Sequence, residues 1–320
     1  MGGLAMNVIE AIDRYIDYRV NLGEKARTLK YLLLGFGKHV GSRQPLDRIS
    51  EETCLSYLSL KGTRNGTATS YWFCIYSAIE GLYQWAMARG YAEYCPLPKY
   101  KPQEPEAFKP YIYAMEELNR IFGAALTYRK RFNIEYPIVI QAMLKIICFL
   151  GLRPSEAVNL QVDDIDLANG LVIIRETKFY KSRVVPASEP VMKIIGNYLS
   201  WRSETARKTK VAVNHLFMDK RGRHVKLTTL QQAFRLICAK AGVHRHDKGR
   251  CDVRLQDLRH TFATNRVQQW YNEGLDVQVL LPALSTYLGH CNLDSTAVYI
   301  TLTDNILYEA GNKFKSYVEI

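Results

Sequence analysis

The sequence lacks the long apolar segments and paired cysteines that mark membrane and secreted proteins. No run of 18 or more apolar residues occurs, and the richest stretch, residues 138–152, is interrupted by Gln141 and Lys145. That pattern excludes a transmembrane helix. The N-terminus has no basic segment followed by an apolar one, so no secretory signal is predicted. The seven cysteines are scattered and form no CxxC pair, which excludes a disulfide framework and favours a cytoplasmic protein with reduced thiols.

Phosphate-binding and metal-binding signatures are also missing. No GxxxxGK[ST] loop is present and no GxGxxG follows a strand, which excludes two common nucleotide-binding designs. The acidic run Asp163, Asp164 and Asp166 alternates in direction along an extended chain and predicts a solvated turn before a hairpin. His244 and His246 have no partner at ligand spacing and predict a basic surface loop. We therefore expect no metal ion and no other cofactor.

Positive charge is in excess. The chain has 43 Lys and Arg against 31 Asp and Glu, a formal net charge of +12 with an isoelectric point near 9.3. Such a balance favours a polyanionic partner, with nucleic acid before membrane. A merely basic protein fits the composition about as well, so charge alone leaves the choice open.

Proline divides the chain. Residues 95–110 hold five of its eleven prolines, and each one removes a backbone donor and biases the preceding residue away from helix. We predict a helical domain over residues 1–95, an extended linker over 96–110 and a larger domain over 111–320.

Apolar spacing predicts the secondary structure of both domains. Steps of three and four residues indicate helices in the first domain at 7–20, 26–40, 51–60 and 67–89. In the second domain we predict helices at 114–124, 136–150, 154–160, 189–202, 229–241, 258–272 and 277–288. Residues 170–175 and 183–186 have the composition of strands joined as a hairpin. The expected fold class is therefore mostly α with a small β-sheet.

Five features then occur in a characteristic order. They are GLRPSE at 151–156, the lysine-bearing turn TKFYKSR at 177–183, LRHTFAT at 258–264, LGH at 288–290, and Tyr299 nine residues later. Each has an ordinary structural explanation when taken alone. Together they resemble the tyrosine recombinase (phage integrase) family, of the simple two-domain Xer-like type, and the resemblance extends over nearly the whole chain. It implies a helical core-binding domain followed by the family's catalytic domain.

The resemblance assigns roles to individual residues. It implies that Tyr299 attacks a DNA phosphate to form a 3′-phosphotyrosyl link, while Arg153 and Arg259 hold that phosphate. His290 is implied as a further phosphate ligand, and Lys178 as the acid that protonates the leaving 5′ oxygen. Strand exchange then passes through a Holliday junction and requires neither metal nor ATP, because the covalent link preserves the energy of the phosphodiester.

Other matched positions are supporting or variant. Glu156 follows the first arginine and is expected to support it, while Lys181, Arg183 and Arg254 are candidate DNA contacts. Gln256 stands where the family usually has histidine, and an amide cannot take up or release a proton. We also interpret the long spacing over residues 268–281 as a loop insertion.

The leading hypothesis is a site-specific DNA recombinase or integrase. Its expected partners are double-stranded DNA and further recombinase subunits, as a homotetramer on paired sites or a hetero-oligomer with a sister recombinase. It would act in the cytoplasm, with the nucleoid, and without membrane association. Two alternatives stay open: a catalytically weak or inactive DNA-binding accessory subunit on the same fold, suggested by Gln256, and a type IB topoisomerase.

Overall fold

The computed structural model describes residues 6–105, 109–129, 136–175, 182–209, 214–246, 252–290, 295–300 and 303. These residues fall into two compact units, 6–105 and 109–303. Helices dominate both units and the sheets are small, so the predicted fold class is confirmed. Within these ranges, no helix is both long and apolar enough to cross a membrane.

The first unit contains four helices around one apolar core: α1 (Val8–Asn21), α2 (Arg27–Val40), α3 (Glu51–Gly62) and α4 (Ser70–Met87). Helix α4 buries Trp72, Ile75, Ile79 and Leu82, which recur every three or four residues. The predicted helices are confirmed, and their ends agree to within three residues.

One short element of this unit was missed. A two-residue antiparallel pair, β1 (Thr63–Arg64) and β2 (Thr67–Ala68), lies between α3 and α4. Asn65 and Gly66 form its turn with φ of 51° and 75°. Asn-Gly is the dipeptide that favours such positive-φ hairpin turns, so the signal was present within the stretch that the apolar spacing had partly assigned to helix.

The second unit packs around one almost entirely apolar helix. Its helices are α5 (Met115–Leu126), α6 (Pro137–Leu150), α7 (Pro154–Val158), α8 (Glu189–Thr209), α9 (Leu227–Ala241), α10 (Asp257–Asn272) and α11 (Val277–Leu288). Nine of the fourteen residues of α6 are buried, because α5, α8 and α10 pack around it. A helix that is apolar on all sides is stable only when it is surrounded in this way.

A three-stranded antiparallel sheet belongs to the same unit. Its strands are β3 (Ile165–Asp166), β4 (Leu171–Ile174) and β5 (Arg183–Pro186), in that spatial order. Val172 pairs with Val185, and both are fully buried. Val184 lies on the opposite face and is half exposed. The alternation therefore turns one face of the hairpin to the core, as its composition predicted.

Two predictions about loops were wrong. The prediction of a solvated turn fails at Asp164, which is buried and accepts hydrogen bonds from the Arg175 side chain and the Gln161 backbone amide, whereas Asp163 is exposed. Residues 268–281 are not a loop insertion either, since α10 continues to Asn272 and α11 begins at Val277. Helix therefore takes up most of the additional length.

Candidate active site

Helix ends converge at the site, and two glycines make this possible. Helices α6 and α11 end at Gly151 and Gly289, whose φ values are 59° and 68°. A β-carbon on Gly151 would lie 2.4 Å from the ring of Phe262, and one on Gly289 would lie 3.0 Å from Arg183 Nη1. Glycine is needed at both positions for the positive φ and for close packing.

Glu156 anchors a group of arginines. Its carboxylate accepts hydrogen bonds from the Arg153 amide (2.9 Å) and from Arg153 Nη1 (2.7 Å). Arg183 donates to both carboxylate oxygens, at 2.9 and 2.8 Å, in a bidentate pair. Nη1 of Arg259 lies 3.9 Å from the same carboxylate. Burial favours the neutral acid, but the Arg183 and Arg153 side chains outweigh it and lower the pKa of Glu156 to about 2.

Arg259 is the most enclosed of the three arginines, with 1% of its side chain exposed. Its Nη1 donates to the Gly151 carbonyl (2.8 Å) and its Nη2 to the Leu288 carbonyl (2.7 Å). These carbonyls belong to the C-terminal ends of α6 and α11, where the helix dipole favours a cation. Burial and the charge of Arg153 lower the pKa of Arg259 to about 10, so the guanidinium stays protonated at neutral pH.

Arg153 connects two of these helix ends. It precedes Pro154 at the start of α7, where proline at the first helical position sacrifices no backbone hydrogen bond. Its Nη2 donates to the Gly289 carbonyl (2.7 Å), and its side chain remains 28% exposed. This partial exposure distinguishes Arg153 from the enclosed Arg259.

Tyr299 lies among these cationic and imidazole groups. It belongs to a helical turn over residues 295–300 and is 1% exposed. Its hydroxyl oxygen is 3.2 Å from Nδ1 of His260. His290 stacks on the tyrosine ring with centroids 6.3 Å apart, and its Nδ1 is 2.7 Å from Thr296 Oγ1.

Burial and nearby charge act in opposite directions on Tyr299. Burial raises the pKa of its phenol, whereas Arg259 and Arg153 favour the phenolate, and burial has the larger effect. Burial also lowers the pKa of both His260 and His290 to about 4, with a further contribution from Arg259. Both imidazoles are therefore neutral at neutral pH.

A cavity of about 490 Å³ opens beside the arginine cluster. The polar side chains in its wall are those of Arg153, Ser155, Gln231, Arg235, Arg254 and Gln256. Three of these six are arginines, so the opening is suited to an anion.

The structure brings together most of the predicted site residues. Arg153, Glu156, Arg259, His290 and Tyr299 lie in one cluster, as the hydrogen bonds and ring contacts above describe. Lys178 and Lys181 fall outside the described residues.

Of the remaining predicted residues, two line the cavity and one pairs with Glu156. Gln256 precedes α10 and lines the cavity. Arg254 also lines it, is 39% exposed and pairs with Asp257 at 3.0 Å. The side chain of Arg183, another candidate DNA contact, is 12% exposed, and both of its Nη atoms donate to Glu156.

Sequence reasoning assigned no role to His260. The residue directly follows Arg259 within the LRHTFAT motif. Its position next to the matched arginine was the one sequence signal for a role in the site. Its contact partner Tyr299 is 39 residues away in the chain, so local sequence did not indicate that contact.

Known proteins share this fold and sequence. Residues 114–305, more than half of the chain, match the phage integrase family. The protein y4rB of Sinorhizobium fredii is 28% identical over 311 residues, which is 96% of each chain. Tyrosine recombinase XerA of Thermococcus kodakarensis is 28% identical over 310 residues, covering 96% of this chain and 95% of XerA.

A solved structure agrees with these sequence matches at the level of fold. The XerH site-specific recombinase, bound to a palindromic difH substrate in a post-cleavage complex, has a TM-score of 0.64. It is 19% identical and covers 98% of both chains. Taken together, the matches define an enzyme that cleaves and rejoins DNA strands. The chain belongs to the phage integrase family, and its function is that of a site-specific tyrosine recombinase.

Proposed function

We propose that Tyr299 is the nucleophile of this recombinase and that it forms a 3′-phosphotyrosyl intermediate with DNA. The observation that carries the proposal is the position of its hydroxyl, which lies 3.2 Å from an imidazole nitrogen and near the charges of Arg259 and Arg153. A free tyrosine ionises near pH ~10 and is a weak nucleophile at neutral pH. Adjacent cations favour the phenolate and so strengthen the nucleophile.

The arginines are proposed to stabilise the phosphate during attack. Negative charge gathers on the non-bridging oxygens in the transition state, and a guanidinium fork matches two such oxygens. Arg153 and Arg259 supply two forks, and His290 supplies a further hydrogen bond. Fixed cations can provide this stabilisation, so the proposal includes no metal ion or other cofactor.

The nucleophile and one of its arginines are enclosed. Tyr299 and Arg259 are each 1% exposed. A DNA phosphate cannot reach either side chain in this conformation. We propose that DNA enters through the cavity beside Arg153, and that binding opens the path to Arg259 and Tyr299. The partial exposure of Arg153 supports this order of contact.

The remaining matched residues have supporting roles in this proposal. Glu156 and Arg183 orient Arg153, because the bidentate pair fixes the carboxylate to which Arg153 donates. Lys178 is the proposed acid for the leaving 5′ oxygen, and Lys181 is a proposed DNA contact. Arg254 is a further proposed DNA contact through the cavity wall, beside Gln256.

The domain roles follow the same proposal. We assign residues 1–95 to a core-binding domain, 96–110 to a linker and 111–320 to the catalytic domain. The change of compact unit close to residue 107 and the family match over 114–305 support this division. Double-stranded DNA is the proposed partner, bound by four subunits on two paired sites in the cytoplasm. A sister recombinase could replace identical subunits.

Covalent trapping tests the proposal. Wild type, Tyr299→Phe and Tyr287→Phe are incubated in EDTA with nicked duplexes made from DNA flanking the gene, then denatured and separated on a gel. Tyr287 is a suitable control because it is a partly buried tyrosine on the neighbouring helix α11. We expect a DNA-linked band for wild type and for Tyr287→Phe, and none for Tyr299→Phe.

The other outcomes separate the alternatives. A covalent band that persists in Tyr299→Phe removes Tyr299 as the nucleophile. Site-specific binding by wild type without any band favours the accessory-subunit hypothesis. Relaxation of supercoiled plasmids that carry no specific site favours a topoisomerase.

A further inference from the structure

His260 contacts the reacting atom of the proposed nucleophile. It lies in the first turn of α10, and its Nδ1 is 3.2 Å from the Tyr299 hydroxyl oxygen. The two rings are tilted at 50° with centroids 5.8 Å apart. His290 directs its own Nδ1 to Thr296 instead. His260 is therefore the imidazole whose hydrogen-bonding atom faces the hydroxyl.

The charges around Tyr299 favour one direction for this hydrogen bond. A guanidinium has donors and no acceptor, and the charges of Arg259 and Arg153 favour negative charge on the hydroxyl oxygen. The hydroxyl proton is then directed to His260. Nδ1 of His260 accepts it when the ring carries its own proton on Nε2.

The surroundings of His260 keep its ring neutral. The charged and titratable groups that face it in the described structure are Arg254, Arg259, His290 and Tyr299. Burial and the two arginines lower the pKa of His260 to about 4. A bound phosphate brings negative charge to these arginines and so raises the basicity of the ring when substrate is present.

We propose that His260 is the general base that removes the proton of Tyr299 during DNA cleavage. This inference rests on the proposed role of Tyr299. As the Tyr299 oxygen bonds to phosphorus, its proton passes to Nδ1 of His260. The bond from phosphorus to the bridging 5′ oxygen breaks, and its electron pair stays on that oxygen, which takes a proton from the acid assigned to Lys178. In rejoining, the 5′ hydroxyl attacks the phosphorus and gives its proton back to Lys178. The bond from phosphorus to the tyrosine oxygen breaks, and His260 returns its proton to that oxygen.

Gln256, which stands where the family usually has histidine, cannot serve as the base itself. Its amide lines the cavity but cannot accept a proton. A base must therefore come from another residue, and His260 is already in contact with the hydroxyl.

His260→Asn is the discriminating substitution. The Asn side-chain oxygen can take the place of Nδ1 as a hydrogen-bond acceptor, but it cannot take up a proton. We expect single-turnover cleavage of a nicked duplex at pH 7 to fall about 100-fold or more, in the range that a general base contributes. His215→Asn, at a partly buried histidine elsewhere in the second unit, is the matched control and is expected to cleave at the wild-type rate.

The pH profile separates a chemical role from a structural one. Wild-type cleavage should rise with pH and then level off once His260 is unprotonated. In His260→Asn it should continue to rise through the alkaline range, because tyrosine must then ionise unaided and burial raises the pKa of its phenol. An equal loss at every pH, with the wild-type profile retained, overturns the proposal.

A fluorinated tyrosine provides the second readout. Difluorotyrosine incorporated at position 299 ionises at lower pH and so depends less on a base. In the His260→Asn variant, we expect difluorotyrosine at position 299 to raise the cleavage rate at least about tenfold. No recovery overturns the role of His260.

Tyr299→Phe in the same assay keeps the two proposals apart. A covalent product from that variant refutes Tyr299 as nucleophile. If Tyr299→Phe is inactive while His260→Asn cleaves like wild type, only the role of His260 is lost.

Discussion

Neutralising Glu156 removes the carboxylate that holds the arginine cluster together, and its effect on stability can be worked out from the structure. The carboxylate is 5% exposed and pairs with Arg153 and Arg183. Its pKa falls from an ordinary value near 4.5 to about 2. At about 1.4 kcal/mol for each pH unit, this depression corresponds to about 3 kcal/mol of folding free energy. Loss of one partner of a buried ion pair also has this magnitude.

The pH dependence has a definite sign. The folded pKa of Glu156 lies below its unfolded value, so its contribution to stability is complete above about pH 4.5. It is lost as the pH falls toward 2. We expect Glu156→Gln to lower the free energy of unfolding by about 3 kcal/mol at pH 7 and to remove this part of the acid dependence.

The assay must report on the second unit alone. Trp201 and Trp270 lie in that unit, whereas Trp72 and Trp85 lie in the first. Urea unfolding is therefore followed by fluorescence in a Trp72→Phe, Trp85→Phe background, with each variant compared to the same background.

A matched control and a clear refutation complete this prediction. Glu204 is 55% exposed and pairs with Lys208 on the surface of α8. Glu204→Gln should change the free energy of unfolding by less than about 0.5 kcal/mol. The reasoning about Glu156 is refuted if Glu156→Gln is no more destabilising than this control, or if its stability falls between pH 4.5 and 2.5 as steeply as that of wild type.

Further predictions concern the glycine turn, the variant position and the enclosed arginine. In urea unfolding, Gly151→Ala should destabilise the protein by at least about 1 kcal/mol more than Gly242→Ala. Both glycines have positive φ, but only at Gly151 does a β-carbon meet the Phe262 ring. Equal losses of stability would contradict the steric argument. Gln256→His should raise the single-turnover cleavage rate about tenfold by adding a titratable group at the cavity wall, and an unchanged rate would show that this position takes no part in proton transfer. Arg259→Lys should lower covalent trapping at least about 100-fold, in EDTA as in its absence, since an ammonium cannot replace the guanidinium fork; trapping at the wild-type level would refute the role of the fork.

Local sequence signals predicted most of the helices because their causes lie within a few residues. The apolar residues of α4 recur at helical spacing, and the predominantly apolar character of α6 requires burial on most sides. Gly151 and Pro154 mark the end of one helix and the start of the next. The Asn65-Gly66 turn was missed although its signal was local, because the apolar spacing that predicts helices at 51–60 and 67–89 gives no indication of the turn between them.

The partners of charged side chains could not be predicted from local sequence. Arg183 follows a basic turn and was expected to contact DNA, yet it donates to Glu156, 27 residues away. Asp164 was expected in solvent, yet it is buried and pairs with Arg175, which directly follows strand β4. In both cases the partner is brought near by the packing of other elements, which the local sequence does not encode.

The sequence by itself determined the secondary structure, the excess of positive charge and the ordered motifs that identify a tyrosine recombinase. These follow from backbone preferences and residue chemistry over short distances. Only the tertiary structure decided that Glu156, expected to support Arg153, also pairs with Arg183, and that His260 rather than Gln256 meets the Tyr299 hydroxyl. Contacts across 27 or 39 positions depend on how α6, α7, α10 and α11 pack, because that packing sets which side chains come within hydrogen-bonding distance.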